Sequence, residues 1–171
     1  MKSFMTILSI FTLMFNSNFV KAETSGLFIG NSFTCGSAAK YYRADSVTDL
    51  NNEGIGEVPA LFKSFTQQAG LNYDVYLETK SGSALDFHLE NKSAEVSIQA
   101  SDQLVTHGFS TLDSNKLGDP TLLVETAVKM SSFLQQLNQN VEVFLSATWS
   151  RANLVCKVNR HWLFTQIEKW H

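Results

Sequence analysis

Residues 27–34 read Leu-Phe-Ile-Gly-Asn-Ser-Phe-Thr, and this stretch decides the fold. Its first apolar run ends at Gly30, and small and polar residues follow as far as the pair Tyr41 and Tyr42. A short apolar run that ends in this way predicts a buried strand leading into a tight turn and a helix.

Strands and helices alternate along the rest of the chain. Apolar residues recur at helical spacing from Glu57 to Ala69, and Gly70 predicts the end of that helix. The clearest helix follows Asp119, a capping carboxylate before a proline at the first helical position, and its apolar face continues to Leu137. The other predicted elements are strands over 73–77, 103–107 and 141–148, a turn over 81–83 and a short helix to about residue 89.

This order of elements predicts the fold class. Strands separated by helices form βαβ units, so we expect a three-layer α/β fold with a mostly parallel sheet and helices on both faces. Residues 23–171 contain neither an internal repeat nor a long linker, and they are predicted to form one domain.

Composition excludes several classes of protein. The chain has 171 residues, of which 44% are hydrophobic and 17% charged, and its 13 basic residues nearly balance its 16 acidic ones. These values fit one globular domain rather than a disordered or fibrous chain. A nearly balanced charge argues against nucleic acid as a partner.

The first 22 residues are predicted to be a secretory signal peptide. Lys2 precedes an apolar run from Phe4 to Phe15, and Val20 and Ala22 stand where a signal peptidase reads small or apolar residues. The apolar run is too short for a comfortable membrane span, and the alternative is a buried N-terminal helix. Cleavage would remove two lysines and no acid, so the mature chain would be more acidic, secreted or periplasmic, and without a stable membrane span.

Cysteine and histidine usage points to no metal or cofactor. The two cysteines, Cys35 and Cys156, lie far apart, and spacing alone does not decide whether they pair. The four histidines and two cysteines never fall in metal-ligand spacing, so no structural zinc is expected. Cys35 is close to Ser32 in sequence, but without an evident base a small buried thiol is the better interpretation.

Three turns follow predicted strands, at Gly30–Ser32, Lys80–Gly82 and His107–Phe109. In parallel sheets, sites form at the carboxyl ends of the strands, so we expect these turns to meet there. Ser32 is predicted at a helix start, where backbone N–H groups can stabilise an oxyanion. The alternative is that Ser32 and its neighbours only cap the helix.

The same stretches resemble a known superfamily. Residues 27–34 resemble the first block of the SGNH (GDSL-like) hydrolases, in the variant with asparagine before the serine. Ser81–Leu85 resembles the second block, Leu104–Leu112 the third-strand segment, and Val143–Arg151 the fourth strand and following loop of some exported members. The resemblance spans about residues 27–151 in the family's order, and it implies an SGNH or flavodoxin-like fold.

The resemblance also implies an activity and roles for residues. These hydrolases cleave esters, commonly an acyl or acetyl ester of a lipid or carbohydrate, through a serine nucleophile. Carried over, Ser32 is the nucleophile and an oxyanion donor through its own N–H, and Gly82 is a second donor. The family's third-block asparagine is missing, and His107 is either an alternative polar donor or an ordinary histidine at a strand end.

The family's catalytic acid and base come from an Asp-x-x-His motif near the C-terminus, and the chain has no such motif. After Arg151 there is no aspartate, and the histidines that follow are His161 and His171. The missing motif has three possible explanations. The chain is a truncated member of the family, which we favour, or its base is supplied by His107, His161 or His171. The third is that the protein binds a ligand without turnover. Because an unaided serine is a poor nucleophile, we expect weak or no hydrolase activity.

Overall fold

The computed structural model describes residues 23–36 and 42–148. Within this part of the chain, five strands form one sheet in the order β2-β3-β1-β4-β5, and every pairing is parallel. The strands are β1 (Thr24–Gly30), β2 (Thr48–Asp49), β3 (Tyr73–Thr79), β4 (Gln103–Thr106) and β5 (Glu142–Leu145). The α-helices are α1 (Ser32–Cys35), α2 (Glu57–Gln68), α3 (Leu85–Asn91), α4 (Ser93–Val96) and α5 (Thr121–Gln135), and a short 3-10 helix spans Ala44–Ser46.

Strand β1 lies in the middle of the sheet and contributes to a core on each face. Leu27 and Ile29 pack in a cluster with Met130 and Leu134 of α5 and with residues of α3 and α4. Phe28 points the other way, into a cluster with residues of α1 and β3 that Phe62 of α2 also contacts. Side chains alternate between faces along a strand, so a central strand with both faces covered is apolar throughout. The predicted α/β fold with a parallel sheet between two helical layers is therefore confirmed.

Several details differ from the sequence prediction: β3 extends two residues further, to Thr79, β5 ends at Leu145 rather than near residue 148, and α4 was not predicted. Helix α5 begins at Thr121, one residue later than predicted, and Pro120 rather than Asp119 is its N-cap. The Asp119 Oδ1 still accepts a hydrogen bond from the Thr121 N–H, at 3.0 Å. Strand β2 was not predicted, because it has only two residues, Thr48 and Asp49, and no apolar run.

Several predictions lie outside the described residues. They are the signal peptide over 1–22, the end of the fourth block at 149–151, and the residues Cys156, His161 and His171. Within residues 23–36 and 42–148, no helix has both the length and the apolar character needed to cross a membrane.

Candidate active site

The carboxyl ends of β1 and β3 bring the first two predicted turns together. Gly30 lies beside Thr79 in the sheet register, and the Lys80 N–H donates a hydrogen bond to the Gly30 carbonyl at 2.9 Å. The Asn31 side chain then donates from Nδ2 to the Ser83 carbonyl at 2.9 Å. These two bonds tie the turn that carries Ser32 to the turn that carries Gly82.

Asn31 shapes the start of α1. Its Oδ1 accepts a hydrogen bond from the Phe33 N–H at 3.1 Å, and its carbonyl accepts from the N–H groups of Thr34 and Cys35. The capping function therefore belongs to Asn31. Ser32 is the first residue of the helix, half-buried, with a backbone N–H that has no partner inside the helix.

Gly82 is exposed in a turn that the Ser83 N–H closes onto the Lys80 carbonyl at 3.2 Å. Its φ of 77° lies in the left-handed region, which glycine adopts without strain. A Cβ placed on Gly82 would meet nothing within 4 Å, so backbone conformation rather than close packing favours glycine here. The turn is open to solvent at the edge of the sheet where Ser32 lies.

His107 directly follows β4 and is 5% exposed. Its Nδ1 is 2.9 Å from the Gly108 carbonyl and its Nε2 is 2.8 Å from the Thr34 hydroxyl. A carbonyl only accepts, so Nδ1 carries the proton and Nε2 accepts from Thr34. Burial lowers the pKa of His107 and keeps the ring neutral. Both ring nitrogens are thus engaged, which favours the interpretation of His107 as a buried histidine at a strand end.

A second buried histidine lies on the other side of β1. His88 of α3 is 1% exposed, and its Nε2 lies 2.8 Å from the Ser83 hydroxyl. Its Nδ1 hydrogen-bonds Oε2 of Glu78, a fully buried carboxylate on β3. The sequence interpretation did not include Glu78 or Ser83 in the site. An acid directly after the strand predicted over 73–77, ten residues before a histidine, was the available signal.

Among residues 23–36 and 42–148, no imidazole nitrogen hydrogen-bonds the Ser32 hydroxyl. His88 and His107, the histidines of that part of the chain, use both ring nitrogens on other groups. Cys35 is buried with its Sγ 3.6 Å from the Ser81 hydroxyl. The same residues contain no cluster of three or more side chains suited to hold a metal ion.

A cavity of about 190 Å³ opens beside His107, at the ends of β4 and β5. Gly108, which follows His107 directly, lines the cavity, and much of the rest of its wall is apolar. The apolar residues lining it are Phe109, Leu112, Leu123, Leu145 and Ala147. Such a cavity suits a small apolar group.

No protein family model matches the sequence, and no curated protein matches it. Solved structures do match the fold. TesA has a TM-score of 0.59 at 14% identity, over 84% of this chain and 70% of that one. A protein from Slackia heliotrinireducens described as an SGNH hydrolase has a TM-score of 0.51 at 17% identity, over 78% of this chain and 62% of its own.

A protein from Parabacteroides merdae described as a GDSL-like lipase has a TM-score of 0.50 at 16% identity. The match covers 72% of this chain and 58% of that one, so the chain spans less than two thirds of the length of these last two proteins. The sheet order, the tied turns and these likenesses together show that the chain has the SGNH/GDSL-like hydrolase fold.

Proposed function

We propose that this chain is an exported SGNH-type ester hydrolase with low turnover, in which Ser32 attacks an acyl or acetyl ester of a lipid or carbohydrate. One observation carries the proposal. The Asn31 side chain binds the Ser83 carbonyl at 2.9 Å, so the first and second turns are tied into one unit at the carboxyl edge of the sheet.

The chemistry follows from that unit. The Ser32 hydroxyl oxygen bonds to the ester carbon, and the carbonyl oxygen becomes an oxyanion that the N–H groups of Ser32 and Gly82 stabilise. The alcohol then leaves, and water later releases the acyl group from Ser32. Each step needs a proton acceptor or donor near Ser32, and the described histidines are engaged elsewhere. Low turnover is the consequence, since serine without a base is a weak nucleophile.

The engaged histidines also support a second candidate function. A site with two oxyanion donors, and with no free imidazole among the histidines of residues 23–36 and 42–148, would bind an ester or a carboxylate without turning it over. The two candidates differ in whether Ser32 forms a covalent bond.

Covalent labelling separates the two functions. The purified full chain is incubated with a fluorophosphonate probe, and the labelled peptide is identified by mass spectrometry. We expect slow labelling at Ser32, abolished in Ser32→Ala and unchanged in Ser132→Ala, an exposed helical serine bonded to the Val128 carbonyl. The absence of labelling in a folded protein would contradict the proposed hydrolase activity and favour ligand binding without turnover.

Turnover of a short-chain aryl ester tests the low rate. We expect slow hydrolysis that disappears in Ser32→Ala. Rapid, Ser32-dependent hydrolysis would contradict low turnover and would require a base from outside the described residues.

Export rests on the predicted signal peptide over residues 1–22. The N-terminal sequence of the protein recovered outside the cytoplasm tests it, and cleavage after Ala22 is the expected result. An uncleaved protein retained in the cytoplasm would contradict export.

A further inference from the structure

A buried chain of hydrogen bonds runs beneath the Gly82 turn. Glu78 is fully buried, His88 is 1% exposed and Ser83 is 8% exposed. His88 joins the other two, with Nδ1 on Glu78 and Nε2 on the Ser83 hydroxyl at 2.8 Å. The second carboxylate oxygen, Oε1 of Glu78, accepts from Asn51 Nδ2 at 3.2 Å.

The order acid, histidine and serine resembles a catalytic triad, but the proton directions exclude that role for Ser83. The Ser83 hydroxyl donates to the Lys80 carbonyl at 2.6 Å, because a carbonyl only accepts. A hydroxyl has one proton, so His88 Nε2 must be the donor to Ser83 Oγ. A serine that accepts a hydrogen bond from histidine is not being deprotonated by it.

The other end of the chain meets the active-site turns. Ser83 follows Gly82 directly, and its carbonyl accepts the bond from Asn31 that ties the two turns. Its hydroxyl and its N–H both bind the Lys80 carbonyl, so Ser83 closes the turn that contains Gly82. Gly82 itself is exposed, and a Cβ added to it would meet nothing within 4 Å, so we expect the hydrogen bonds of Ser83 to hold its peptide.

We infer that Glu78 and His88 are positioning residues, which act through Ser83 to aim the Gly82 N–H at the oxyanion. The inference rests on the proposed function for the role of Gly82 as a donor. Glu78 holds the Nδ1 side of the His88 ring, so the ring is oriented with Nε2 towards Ser83, and His88 fixes the Ser83 hydroxyl against Lys80. A misplaced donor costs much of the rate, because an oxyanion hole works only when its donors are already in place.

Two substitutions of Glu78 distinguish positioning from filling space. In Glu78→Gln, the amide oxygen of the new side chain can still accept from Asn51, and the amide N–H can donate to His88 Nδ1. The His88 Nε2–H then still donates to the Ser83 hydroxyl oxygen. In Glu78→Leu, no hydrogen bond holds the Nδ1 side of the His88 ring. Glu78→Gln is therefore the conservative variant that restores the geometry.

Two serine substitutions form a matched pair. Ser83→Ala removes the hydroxyl that receives the His88 proton. Ser101→Ala is its control, because Ser101 is also buried, at 2% exposure, and its hydroxyl has no hydrogen-bond partner in the described part of the chain. Ser101 precedes β4, at the opposite edge of the sheet.

The experiment measures the maximal rate of fluorophosphonate labelling at Ser32 and the probe concentration at half-saturation. We expect about a hundredfold loss of the maximal rate in Glu78→Leu and Ser83→Ala, with half-saturation unchanged. Glu78→Gln and Ser101→Ala should stay within about threefold of the unmodified chain. If Glu78→Leu fails to fold, Ser83→Ala carries the test.

The ¹H–¹⁵N signal of the Gly82 amide provides a readout independent of chemistry. We expect it to move in Glu78→Leu and Ser83→Ala and to stay in Glu78→Gln and Ser101→Ala. Wild-type labelling rates and an unmoved Gly82 signal in folded Ser83→Ala would overturn the inference, even if melting temperatures fall. If the unmodified chain never labels but the Gly82 signal moves as expected, the proposed function fails and the positioning inference stands.

Discussion

His88 and His107 are both buried at the same edge of the sheet, on opposite sides of β1, yet their partners differ. His88 lies between a carboxylate, Glu78, and the Ser83 hydroxyl. His107 lies between the Thr34 hydroxyl and the Gly108 carbonyl, both uncharged. His88 therefore donates towards the Gly82 turn, whereas His107 accepts from α1.

The difference shows that burial alone does not decide what a histidine does. A neutral His107 with two neutral partners holds β4 against α1 and has no proton to offer an oxyanion. His88 hydrogen-bonds a carboxylate through Nδ1, so loss of that partner leaves its ring with an unsatisfied buried nitrogen. We expect the His88 side to be the more sensitive to substitution.

The largest effect is expected for Glu78→Leu. It removes one member of a buried, hydrogen-bonded pair, and such changes cost about 3–5 kcal/mol of the free energy of unfolding. Urea unfolding measures the loss. Glu78→Gln, which can make both hydrogen bonds, is the control and should lose far less. An equal loss in both variants would mean that the charge of Glu78 matters more than its hydrogen bonds.

Gly30→Ala tests the His107 side. A Cβ at Gly30 would collide with His107 Nε2 and Thr34 Oγ1, so their hydrogen bond must break or shift. We expect a loss of about 3 kcal/mol, at the upper end for overpacking. The control is Gly26→Ala on the same strand, where the nearest atom, on Tyr73, is 3.8 Å from the added Cβ. A similar loss at both glycines would contradict the close approach at Gly30.

Thr34→Val is expected to lower the free energy of unfolding by about 1–2 kcal/mol, because it leaves the buried acceptor Nε2 of His107 without a donor. Thr106→Val is the matched control. The Thr106 hydroxyl is fully buried and has no hydrogen-bond partner in the described part of the chain, so its removal should be neutral or stabilising. Chemical denaturation of both variants gives the comparison, and equal losses would mean that the Thr34–His107 bond adds nothing.

The smallest effect is a pH dependence from His107. Burial holds its pKa below the ordinary 6.5, so below about pH 6.5 the unfolded chain takes up a proton before the folded chain does. Stability is then full above pH 6.5 and falls as pH decreases, by at most about 1.4 kcal/mol per pH unit. The measurement is the urea midpoint between about pH 7 and pH 5.

His107→Gln should flatten this dependence. Asp102 does not interfere in that range, because hydrogen bonds from Ser25 hold its pKa below the ordinary 3.8. A titration of the His107 ring with a midpoint above 6.5 would contradict the predicted direction.

Much of the fold could be predicted because its signals are local. The apolar run at Leu27–Ile29 and the helical periodicity from Glu57 reflect burial on particular faces, which a chain shows in its own spacing. Strand β2 could not be predicted, since two residues, Thr48 and Asp49, carry no period and pair only because β3 lies beside them.

The candidate site also has features that the sequence predicted and features that only the structure revealed. The turns of Ser32 and Gly82 were predicted to meet because parallel strands end at one edge, and the bond from Asn31 to Ser83 joins them. The roles of Ser32 and Gly82 in catalysis remain predictions. The partners of His88 and His107 were beyond prediction, because each side chain had several polar residues within plausible reach.

By itself, the sequence determined the alternation of strands and helices, and hence a parallel sheet with its polar turns at one edge. Only the tertiary structure decided that His107 faces Thr34 and that His88 joins Glu78 to Ser83. The physical reason is range: hydrophobic periodicity is set by neighbours a few residues away, whereas a hydrogen bond depends on atoms within about 3 Å in space. Thr34 and His107, 73 residues apart in the chain, meet only when the sheet brings α1 and the end of β4 together.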